Sequence, residues 1–474
     1  MTDGAPTLIW FRRDLRLGDH EALCAGIARG GPVIPVFIHE ALVDGLGAAP
    51  KWRLGLSLED LARRLDEKGS RLILRRGAPL DVLRKLVAET GADAVFWSRA
   101  YDPASIERDT GVKAGLQEDG IAAQSYKGHV LFEPWSVETK TGGFYKVYTP
   151  LWKAVRDREV PDVLPEPGQI PAPASWPQSE VLEHWQMGRA MDRGADICLP
   201  YQRVGEAAAR DRLEAFCSAA IGAYDTMRDR PGIDGTSGLS ENLSLGEISP
   251  RLCWHRGRRA MAEAGGDGPE TWVKELVWRE FAYHLAYHTP RILSGNWRPE
   301  WDAFPWNEDE DHPDVVTWKQ GRTGEPFVDA AMREMYVTGK MHNRGRMIVA
   351  SYLTKHLLSH WRIGQRWFDD CLTDWDPASN AMGWQWSAGS GPDATPYFRI
   401  FNPATQIEKF DPRGVYRDRW IAEGHDDPSE TSLSYFDAIP RSWGISPDMD
   451  YPAPAVDLSM GRTRALQAYE ARSF

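Results

Sequence analysis

The sequence predicts a chain in two parts, a doubly wound α/β domain built on a parallel sheet and a larger helical domain behind it. Short apolar runs alternate with amphipathic stretches over residues 7–130, which is the pattern of a parallel sheet with helices on both faces. From about residue 200 the apolar spacing is mostly helical to the end. The 474 residues are also too many for one ordinary core.

The first part is expected to contain four buried strands and four helices. Short apolar runs that end at turn residues predict the strands at residues 7–11, 32–38, 71–74 and 94–97. One-sided apolar spacing predicts the helices at residues 20–28, 52–67, 79–89 and 104–117. Neither a GxGxxG after the first strand nor a GxxxxGKS or GxxxxGKT occurs, so a standard dinucleotide or P-loop site is excluded.

A proline-rich stretch separates the two parts. Six prolines fall between Pro161 and Pro177, a density that allows neither a long helix nor a central strand. We therefore expect an α/β domain at residues 1–130, a connector at residues 131–200 and a helical domain at residues 201–474.

Composition and charge exclude several classes of protein. A net charge of −12 without a basic arm disfavours a non-specific nucleic-acid binder. Five widely spaced cysteines without a CxxC exclude a disulfide framework and a zinc finger, and they suit a reducing compartment. No apolar run reaches the ~18 residues that a membrane span requires. We expect a cytoplasmic protein with no metal site.

Tryptophan is unusually frequent. There are 21 tryptophans against 15 phenylalanines and 15 tyrosines, and twelve of the 21 lie between Trp254 and Trp386. A buried indole requires a partner for its N–H group, so tryptophan is not a neutral filler of cores. The cluster directs the search for function to the helical part.

Residues 271–287 predict a helix with two different faces. Apolar residues at every fourth position predict a core stripe of Val273, Val277, Phe281 and Leu285. A second face carries Trp272, Glu275, Trp278 and Arg279. This face is either an intrahelical Glu275–Arg279 ion pair flanked by packed indoles, or a wall that stacks a flat ring and hydrogen-bonds its edge.

Small hydroxyl residues lie among glycines at residues 235–240, in the sequence GTSGLS. Such a loop offers backbone N–H and hydroxyl donors at close approach, which a phosphate group requires. The favoured interpretation from the residues alone is an ordinary loop that caps a helix through Ser237 or Ser240.

Residues 339–366 form a locally basic stretch. It holds six lysines and arginines and no acidic residue. The basic side chains either contact phosphates of a nucleic acid or cofactor, or solvate one helix face and pair with the acidic run at residues 308–311.

The segment at residues 374–386 combines two carboxylates, an amide and several indoles. Asp376 followed by a proline predicts a helix N-cap, and Asn380 and Trp384 then share one helix face. Capping does not require the second carboxylate of Asp374. Buried acceptors, an amide and indoles suit a heterocyclic cofactor with ring N–H groups.

These blocks, in this order, resemble the DNA photolyase/cryptochrome family over nearly the whole chain. The similar blocks are TLIWFRRDLRLGDHEAL, GTSGLS, WVKELVWREF, MHNRGRM, WDPASNAMGWQW and TPYFRIFNPATQIEK. The resemblance implies a five-stranded parallel sheet in an antenna-binding domain and a larger all-α domain that binds FAD.

The resemblance also implies the cofactor and electron-transfer residues. Asn380 matches the residue that faces the flavin N5 atom. Trp384, Trp361 and Trp306 match a chain of tryptophans that passes electrons to the flavin, with Trp301 close to the third position. The cofactor-binding residues carried over from the family are Tyr224, Thr236, Ser237, Gly238, Leu239, Ser240, Trp272, Arg279, Asn343, Arg346, Asp374, Trp375, Asp376 and Asn380.

The same resemblance favours repair of cyclobutane pyrimidine dimers in UV-damaged DNA. The implied catalytic residues are Glu275, Asn380, Trp278 and Trp386. The implied DNA contacts are Arg228, Glu275, Trp278, Asn343, Arg344, Met347 and Trp386. The sequence His342-Asn343 disfavours the enzymes for 6–4 photoproducts, which carry a His pair at this point. The alternative is a photosensory cryptochrome, which Asn380 and the short carboxyl terminus disfavour.

An antenna chromophore is expected in the first domain. One branch of the family holds a folate with an Asn-Glu pair, and the comparable positions here are Ala104 and Ser105. We therefore expect methenyltetrahydrofolate in a different seat, with a deazaflavin as the alternative. The resemblance further implies a monomer without an obligate protein partner, in the bacterial cytoplasm and at the nucleoid when bound to damage.

Overall fold

Five parallel strands form the sheet of the amino-terminal part in this computed structural model, which describes residues 4–263, 265–393 and 398–472. The strands are β1 (Thr7–Phe11), β2 (Val33–His39), β3 (Ile73–Arg76), β4 (Ala94–Ser98) and β5 (Ala122–Tyr126). Their order is β3-β2-β1-β4-β5, and every neighbouring pair is parallel. The doubly wound sheet is confirmed, and the order reverses between β1 and β4.

The sheet is covered on both faces by helices. They are α1 (Glu21–Ala28), α2 (Ala41–Asp44), α3 (Ala48–Glu67), α4 (Pro79–Thr90) and α5 (Pro103–Glu118). Alternate residues of β1 enter two separate cores, Ile9 on one side and Trp10 on the other. This explains why the inner strands read as continuous apolar runs. The edge strand β5, of sequence AAQSY, is partly exposed and polar, and no apolar run predicts it.

The connector lies along the α/β part. It contains α6 (Tyr148–Val155) and α7 (Gly194–Cys198). Beside the edge strand β3, Leu74 N–H donates to Ser179 Oγ over 2.9 Å, and Glu180 N–H donates to Leu74 O over 2.9 Å. The segment just after the proline-rich stretch therefore covers a sheet edge that would otherwise expose unpaired backbone groups.

The second part is helical. Its helices are α8 (Gly205–Ala219), α9 (Tyr224–Met227), α10 (Ser240–Ser244), α11 (Pro250–Glu263), α12 (Gly268–His288), α13 (Pro313–Lys319), α14 (Pro326–Thr338), α15 (Asn343–Ser351), α16 (Trp361–Cys371), α17 (Pro377–Ala388), α18 (Pro403–Phe410), α19 (Val415–Trp420), α20 (Glu430–Ala438) and α21 (Leu458–Glu470). A π-helical turn, Tyr352–His356, follows α15. The predicted stripe of α12 is fully buried, which confirms it.

Buried ion pairs join the two parts. Arg53 of α3 bonds Glu247, with 2.7 Å between Nη2 and Oε2 and neither side chain exposed. Glu206 of α8 accepts from the backbone N–H of Leu17 over 2.8 Å. These contacts hold the loop after β1 against the helical part, where the candidate site lies. Within the described residues, no helix is long and apolar enough to cross a membrane.

Candidate functional site

Asp376 anchors the centre of the site. Its Oδ1 accepts from the Ser379 N–H over 2.9 Å, so it caps α17 as predicted. Its Oδ2 accepts from the Tyr283 hydroxyl and from Arg13, the latter over 3.2 Å. Burial opposes the charge, but Arg13 and Arg279 outweigh it and lower the pKa of Asp376. The carboxylate is therefore ionised and ties three chain segments together.

The side chain of Arg279 on α12 makes its hydrogen bonds with the loop after β5. Its Nη1 donates to the His129 carbonyl over 2.6 Å, and its Nη2 lies 2.8 Å from His129 Nε2. Burial and the charge of Arg279 lower the pKa of His129 well below its usual value, so the imidazole is neutral. The intrahelical Glu275–Arg279 pair does not form, because Glu275 bonds Arg228.

Asp374 presents an unused acceptor inside the site. Arg346 Nη2 donates to Asp374 Oδ2 over 2.7 Å, and Arg346 Nε donates to the Met341 carbonyl over 2.9 Å. Asp374 Oδ1 is buried and accepts no hydrogen bond among the described residues. A buried carboxylate oxygen of this kind requires an N–H donor, which the ring edge of a heterocycle supplies.

Asn380 is held as an acceptor. Its amide nitrogen donates to Asp369 Oδ1 over 2.7 Å and to the Gln365 carbonyl over 3.2 Å. The Trp375 indole also donates to Asp369 Oδ1. Because both amide hydrogens are engaged, a ligand can only donate to the Asn380 oxygen.

The loop at residues 235–240 is held by a residue of α8. The Arg212 Nε donates to the Ser237 carbonyl. Gly238 has φ +56°, a left-handed conformation that favours glycine, and a Cβ added there would lie 2.2 Å from Arg212 Nη2. Neither Ser237 nor Ser240 caps α10, and the capping interpretation is wrong. The structure instead leaves the loop's hydroxyl groups uncommitted to a helix end.

Aromatic side chains lie in the core cluster that includes Leu239 of this loop. Phe216 contacts Tyr224 at 5.6 Å and Trp272 at 5.4 Å between ring centroids. Tyr224 and Trp272 are both buried, and Leu239 is 2% exposed. Thr236 is half-buried. Of the predicted loop residues, Leu239 belongs to the same buried core cluster as these three rings.

One wall of the predicted lesion slot is a stacked pair. The rings of Trp278 and Tyr148 are parallel within 3°, with centroids 3.8 Å apart. The Tyr148 hydroxyl donates to the Lys274 carbonyl over 2.8 Å, and its N–H donates to Asp393 Oδ2 over 3.3 Å. Trp386, which lies seven residues before Asp393, is half-buried and has no ring contact among the described residues. A connector residue therefore backs the wall.

Glu275 lies on the same side of α12 as Trp278 and bonds the Arg228 guanidinium. Burial and Asp229 raise the pKa of Glu275, and Arg228 opposes the rise. The ionised form of Glu275 is therefore less stable in this site than in water.

The start of α15 contributes three predicted contacts. Asn343 is exposed, and its amide nitrogen lies 4.0 Å from the sulfur of half-buried Met347 on the same helix face. Arg344 pairs with Asp229 at 2.6 Å and lies over Phe410 at 4.3 Å. Arg344, like Arg228, therefore has a carboxylate partner that a DNA phosphate would have to replace.

Most of the basic stretch is paired inside the protein. Lys340 bonds Glu241 over 2.8 Å, and Arg366 pairs with Glu310 of the acidic run. Lys355 is 1% exposed, and burial lowers its pKa well below the usual value. Ion pairs with acidic side chains therefore account for Lys340 and Arg366, and Lys355 donates to the buried Ala388 carbonyl.

Trp384 is packed into the core beside α16. A Cβ added to Gly364 would lie 2.0 Å from the Trp384 ring, so the indole rests on this glycine. Phe368 contacts it at 4.9 Å and Trp318 at 6.1 Å between centroids. Trp384 is thereby fixed on the same helix face as Asn380.

The other two tryptophans of the predicted chain are brought together by a backbone bridge. Asn307 pairs with Ser359 in a parallel bridge, so Trp306 and Trp361 lie on adjacent segments. Trp301 stacks behind Trp306, with centroids 5.6 Å apart and planes at 24°. Trp306 therefore stays the predicted third member of the chain.

The indole N–H groups of the three tryptophans differ. Trp361 donates to Asn296 Oδ1 over 2.8 Å, and Trp306 donates to the Thr354 carbonyl over 3.2 Å. The N–H of Trp384 is buried and has no acceptor among the described residues. The innermost indole is therefore the one without a hydrogen-bond partner.

Comparisons with known proteins agree with this arrangement. Residues 7–172 match the family model described as DNA photolyase, and residues 272–471 match the FAD binding domain of DNA photolyase. A deoxyribodipyrimidine photo-lyase of Agrobacterium fabrum is 44% identical over 472 residues, which cover 98% of each chain. The chain belongs to the DNA photolyase family. The Escherichia coli strain K12 deoxyribodipyrimidine photo-lyase is 35% identical, again over 98% of each chain.

Solved structures extend the comparison. A bacterial class III photolyase from Agrobacterium tumefaciens superposes with a TM-score of 0.91 at 43% identity, covering 99% of this chain and 98% of that one. A cryptochrome from Synechocystis sp. PCC6803 superposes with a TM-score of 0.84 at 28% identity, covering 99% of this chain and 100% of that one.

The helical part is thus a FAD-binding domain, and the residues present fit a flavin nucleotide. The orphaned Asp374 Oδ1 and the acceptor-only Asn380 suit the N–H groups of a flavin ring. The loop around Gly238 leaves backbone and hydroxyl donors near the surface. Residues 395–397 of the similar block at residues 395–409 lie outside the described residues.

The two positions compared with the folate-binding pair lie at the start of α5. Asp102 caps this helix by accepting from the Ser105 N–H over 2.9 Å. Ser105 is buried and Ala104 is exposed. Neither side chain can reproduce an amide and a carboxylate, so the seat of an antenna chromophore stays a prediction.

Proposed function

We propose that this protein is a light-driven deoxyribodipyrimidine photo-lyase that splits cyclobutane pyrimidine dimers in DNA. The observation that carries the proposal is the Trp278 wall. One face of this indole is stacked on Tyr148, and no other described ring stacks on it. The wall lies on the helix that also carries Glu275 and Arg279. The photo-lyase names of the full-length relatives support the same function.

A pyrimidine dimer suits such a slot. The damaged dinucleotide is poorly stacked in the duplex, so extruding it costs less than flipping normal bases, and photolyases are the standard example of this principle. Trp278 and Trp386 would enclose the apolar cyclobutane edge. Glu275 would exchange its bond with Arg228 for the polar edge of the dimer, and Arg228 and Arg344 would hold the flanking phosphates.

FAD, when bound and reduced, supplies the electron that light transfers to the dimer. The protein orients this group by its own residues. Asn380 and Asp374 would each accept from a ring N–H of the bound group, and Asp376 and Arg279 would hold the α12–α17 junction around it. Trp384, Trp361 and Trp306 would return electrons from the surface to a flavin that has become oxidised.

The remaining properties are part of the proposal. We expect methenyltetrahydrofolate as the antenna chromophore, with a deazaflavin as the alternative. We also expect a monomer without an obligate protein partner in the bacterial cytoplasm. The 28% identity to the cryptochrome, against 43% to the class III photolyase, favours repair over signalling as the main role.

A repair assay tests the function. UV-irradiated oligothymidylate mixed with the flavin-reduced protein should regain thymine absorbance under blue light and should not regain it in darkness. Glu275→Ala should lower the yield while FAD stays bound. Glu270→Ala is the matched control, because Glu270 forms only a surface pair with Lys274 on the same helix. No recovery with fully reduced wild-type protein would refute the proposal.

A further inference from the structure

His360 lies between two tryptophans of the electron-transfer chain. Its ring centroid is 5.1 Å from that of Trp306, with the planes at 71°, and 5.5 Å from that of Trp361, with the planes at 31°. His360 is thus the only described side chain whose ring contacts both indoles. A charge on this ring would act on both tryptophans at contact distance.

The position of the imidazole is fixed from two directions. The backbone N–H of His360 donates to the Asn307 carbonyl over 2.8 Å, next to the bridge that holds Trp306. Its Nδ1 accepts from the Arg362 N–H over 3.1 Å and thereby caps α16. The neutral ring therefore carries its proton on Nε2, and a second proton can bind only at Nδ1, at the expense of the cap.

The charges around His360 are mixed. Asp302 and Glu308 favour its protonation, and Arg362 and Arg366 on α16 oppose it. Burial is the largest influence, and it lowers the pKa of His360 below 6.5. The imidazole is consequently neutral at neutral pH, and it becomes an imidazolium only below the usual pKa of the side chain.

We propose that His360 controls electron transfer along the tryptophan chain through its protonation state. In this role His360 places a charge beside the indoles, which is separate from the role of the three indoles themselves. The proposal rests on the proposed function. One electron moves in each step: from Trp384 to the photoexcited flavin, from Trp361 to Trp384, and from Trp306 to Trp361. A thiol in solution returns one electron to Trp306.

The physical reason is repulsion between like charges. Each indole that has given up an electron carries a positive charge, and an imidazolium in contact with it raises the free energy of that state. Neutral His360 imposes no such cost. The chain should therefore conduct at neutral and alkaline pH and be blocked in acid, while the dimer-splitting reaction of pre-reduced protein does not use it.

Photoreduction of the FAD-loaded protein measures this control. With a thiol donor under blue light, the yield of the wild-type protein should fall roughly tenfold between about pH 8 and the acid side of the His360 titration midpoint. His360→Asn keeps a capping acceptor and should show a flat profile. His360→Asp keeps the cap and adds a negative charge, so its yield should be flat and at least as high as that of the wild type at neutral pH.

His312→Asn is the matched control. His312 caps α13 by the same type of bond, over 3.3 Å to the Asp314 N–H, and has no ring contact with the chain. This variant should keep the wild-type profile. Proton NMR of the protein in darkness gives a readout other than activity: the His360 ring protons and the indole N–H signals of Trp306 and Trp361 should shift with one midpoint.

Identical pH profiles in the wild type and His360→Asn would overturn the proposal. So would a constant yield over a pH range in which NMR shows that His360 titrates. Should His360→Asn lose FAD, the His360→Asp profile decides in its place. Repair by pre-reduced wild-type protein is measured in parallel, because its failure would remove the proposed function without bearing on the His360 profile.

Discussion

Tyr148 lies flat against Trp278, with ring centroids 3.8 Å apart and planes at 3°. The two residues are 130 positions apart in the chain, one in the connector and one on α12. The contact means that the connector determines how firmly one wall of the slot is held. Tyr148 is 7% exposed, so it forms the rear of the wall and not its binding face.

Replacing Tyr148 should change lesion binding through the stack alone. Tyr148→Leu removes a ring pair worth about 1 kcal/mol, so we expect roughly fivefold weaker binding of a dimer-containing oligonucleotide, measured by fluorescence anisotropy. Tyr148→Phe keeps the stack and loses only the bond to the Lys274 carbonyl, and it should bind within about twofold of the wild type. Equal losses in both variants would assign the effect to the hydroxyl group.

Asn380 should stabilise a flavin that carries an N–H at its central ring. In Asn380→Ala the acceptor is lost, and we expect reduced FAD to reoxidise in air roughly tenfold faster, as followed by flavin absorbance. FAD content should remain unchanged. Gln365→Glu is unsuitable as a control, because Asn380 donates to the backbone carbonyl of Gln365 and the substitution changes only the side chain. The appropriate control is Asp370→Asn, because Asp370 lies on the exposed side of α16. Unchanged reoxidation in Asn380→Ala would show that its oxygen accepts no bond from the flavin.

Glu280 should make the protein less stable as the pH rises. It is buried and accepts from the backbone N–H groups of Leu131 and Phe132, and burial raises its pKa to about 7. The folded protein then retains a proton that the unfolded chain releases above its ordinary pKa of about 4.3. Stability is therefore lost between about pH 4 and the folded-state pKa.

Glu280→Gln keeps an acceptor for both backbone groups and removes the titration. We expect the variant to gain about 1–2 kcal/mol over the wild type at alkaline pH and little in acid, as measured by urea unfolding. A variant that is equally destabilised at both ends of the pH range would show that the ionised carboxylate is required.

Trp384→Phe should slow photoreduction by at least about tenfold and leave repair by pre-reduced protein largely intact. The matched variant is Trp318→Phe, because Trp318 is fully buried and contacts Trp384 at 6.1 Å but is not in the predicted chain. Photoreduction measured under steady blue light should be close to the wild-type rate in Trp318→Phe. A comparable loss in both variants would indicate that the electron path branches at Trp384.

Local chemistry made much of this protein predictable. The N-cap at Asp376 and the buried stripe of α12 follow from neighbouring residues, and both are confirmed. The inner strands of the sheet follow from burial on both faces. The edge strand β5 could not be predicted in this way, because only Ala123 of its five residues is buried.

Long-range pairing was not predictable. Local spacing offered Arg279, four positions away, as the ion-pair partner of Glu275, but Glu275 bonds Arg228, which is 47 positions away. His129, Arg212 and Tyr148 reach the site from other segments, and nothing in their local sequence marks them. The family resemblance supplied the identity of the cofactor and the slot residues. Spacing alone indicated only a flat heterocycle among indoles.

The orphaned N–H of Trp384 has a consequence for where charge can come to rest. An oxidised indole becomes a neutral radical only by giving its proton to an acceptor, and no described group offers one. The positive charge on Trp384 therefore has two exits, back to the flavin or outward to the next tryptophan. Among the described residues, the fold thereby offers no proton acceptor that would trap an unpaired electron on Trp384 beside the cofactor.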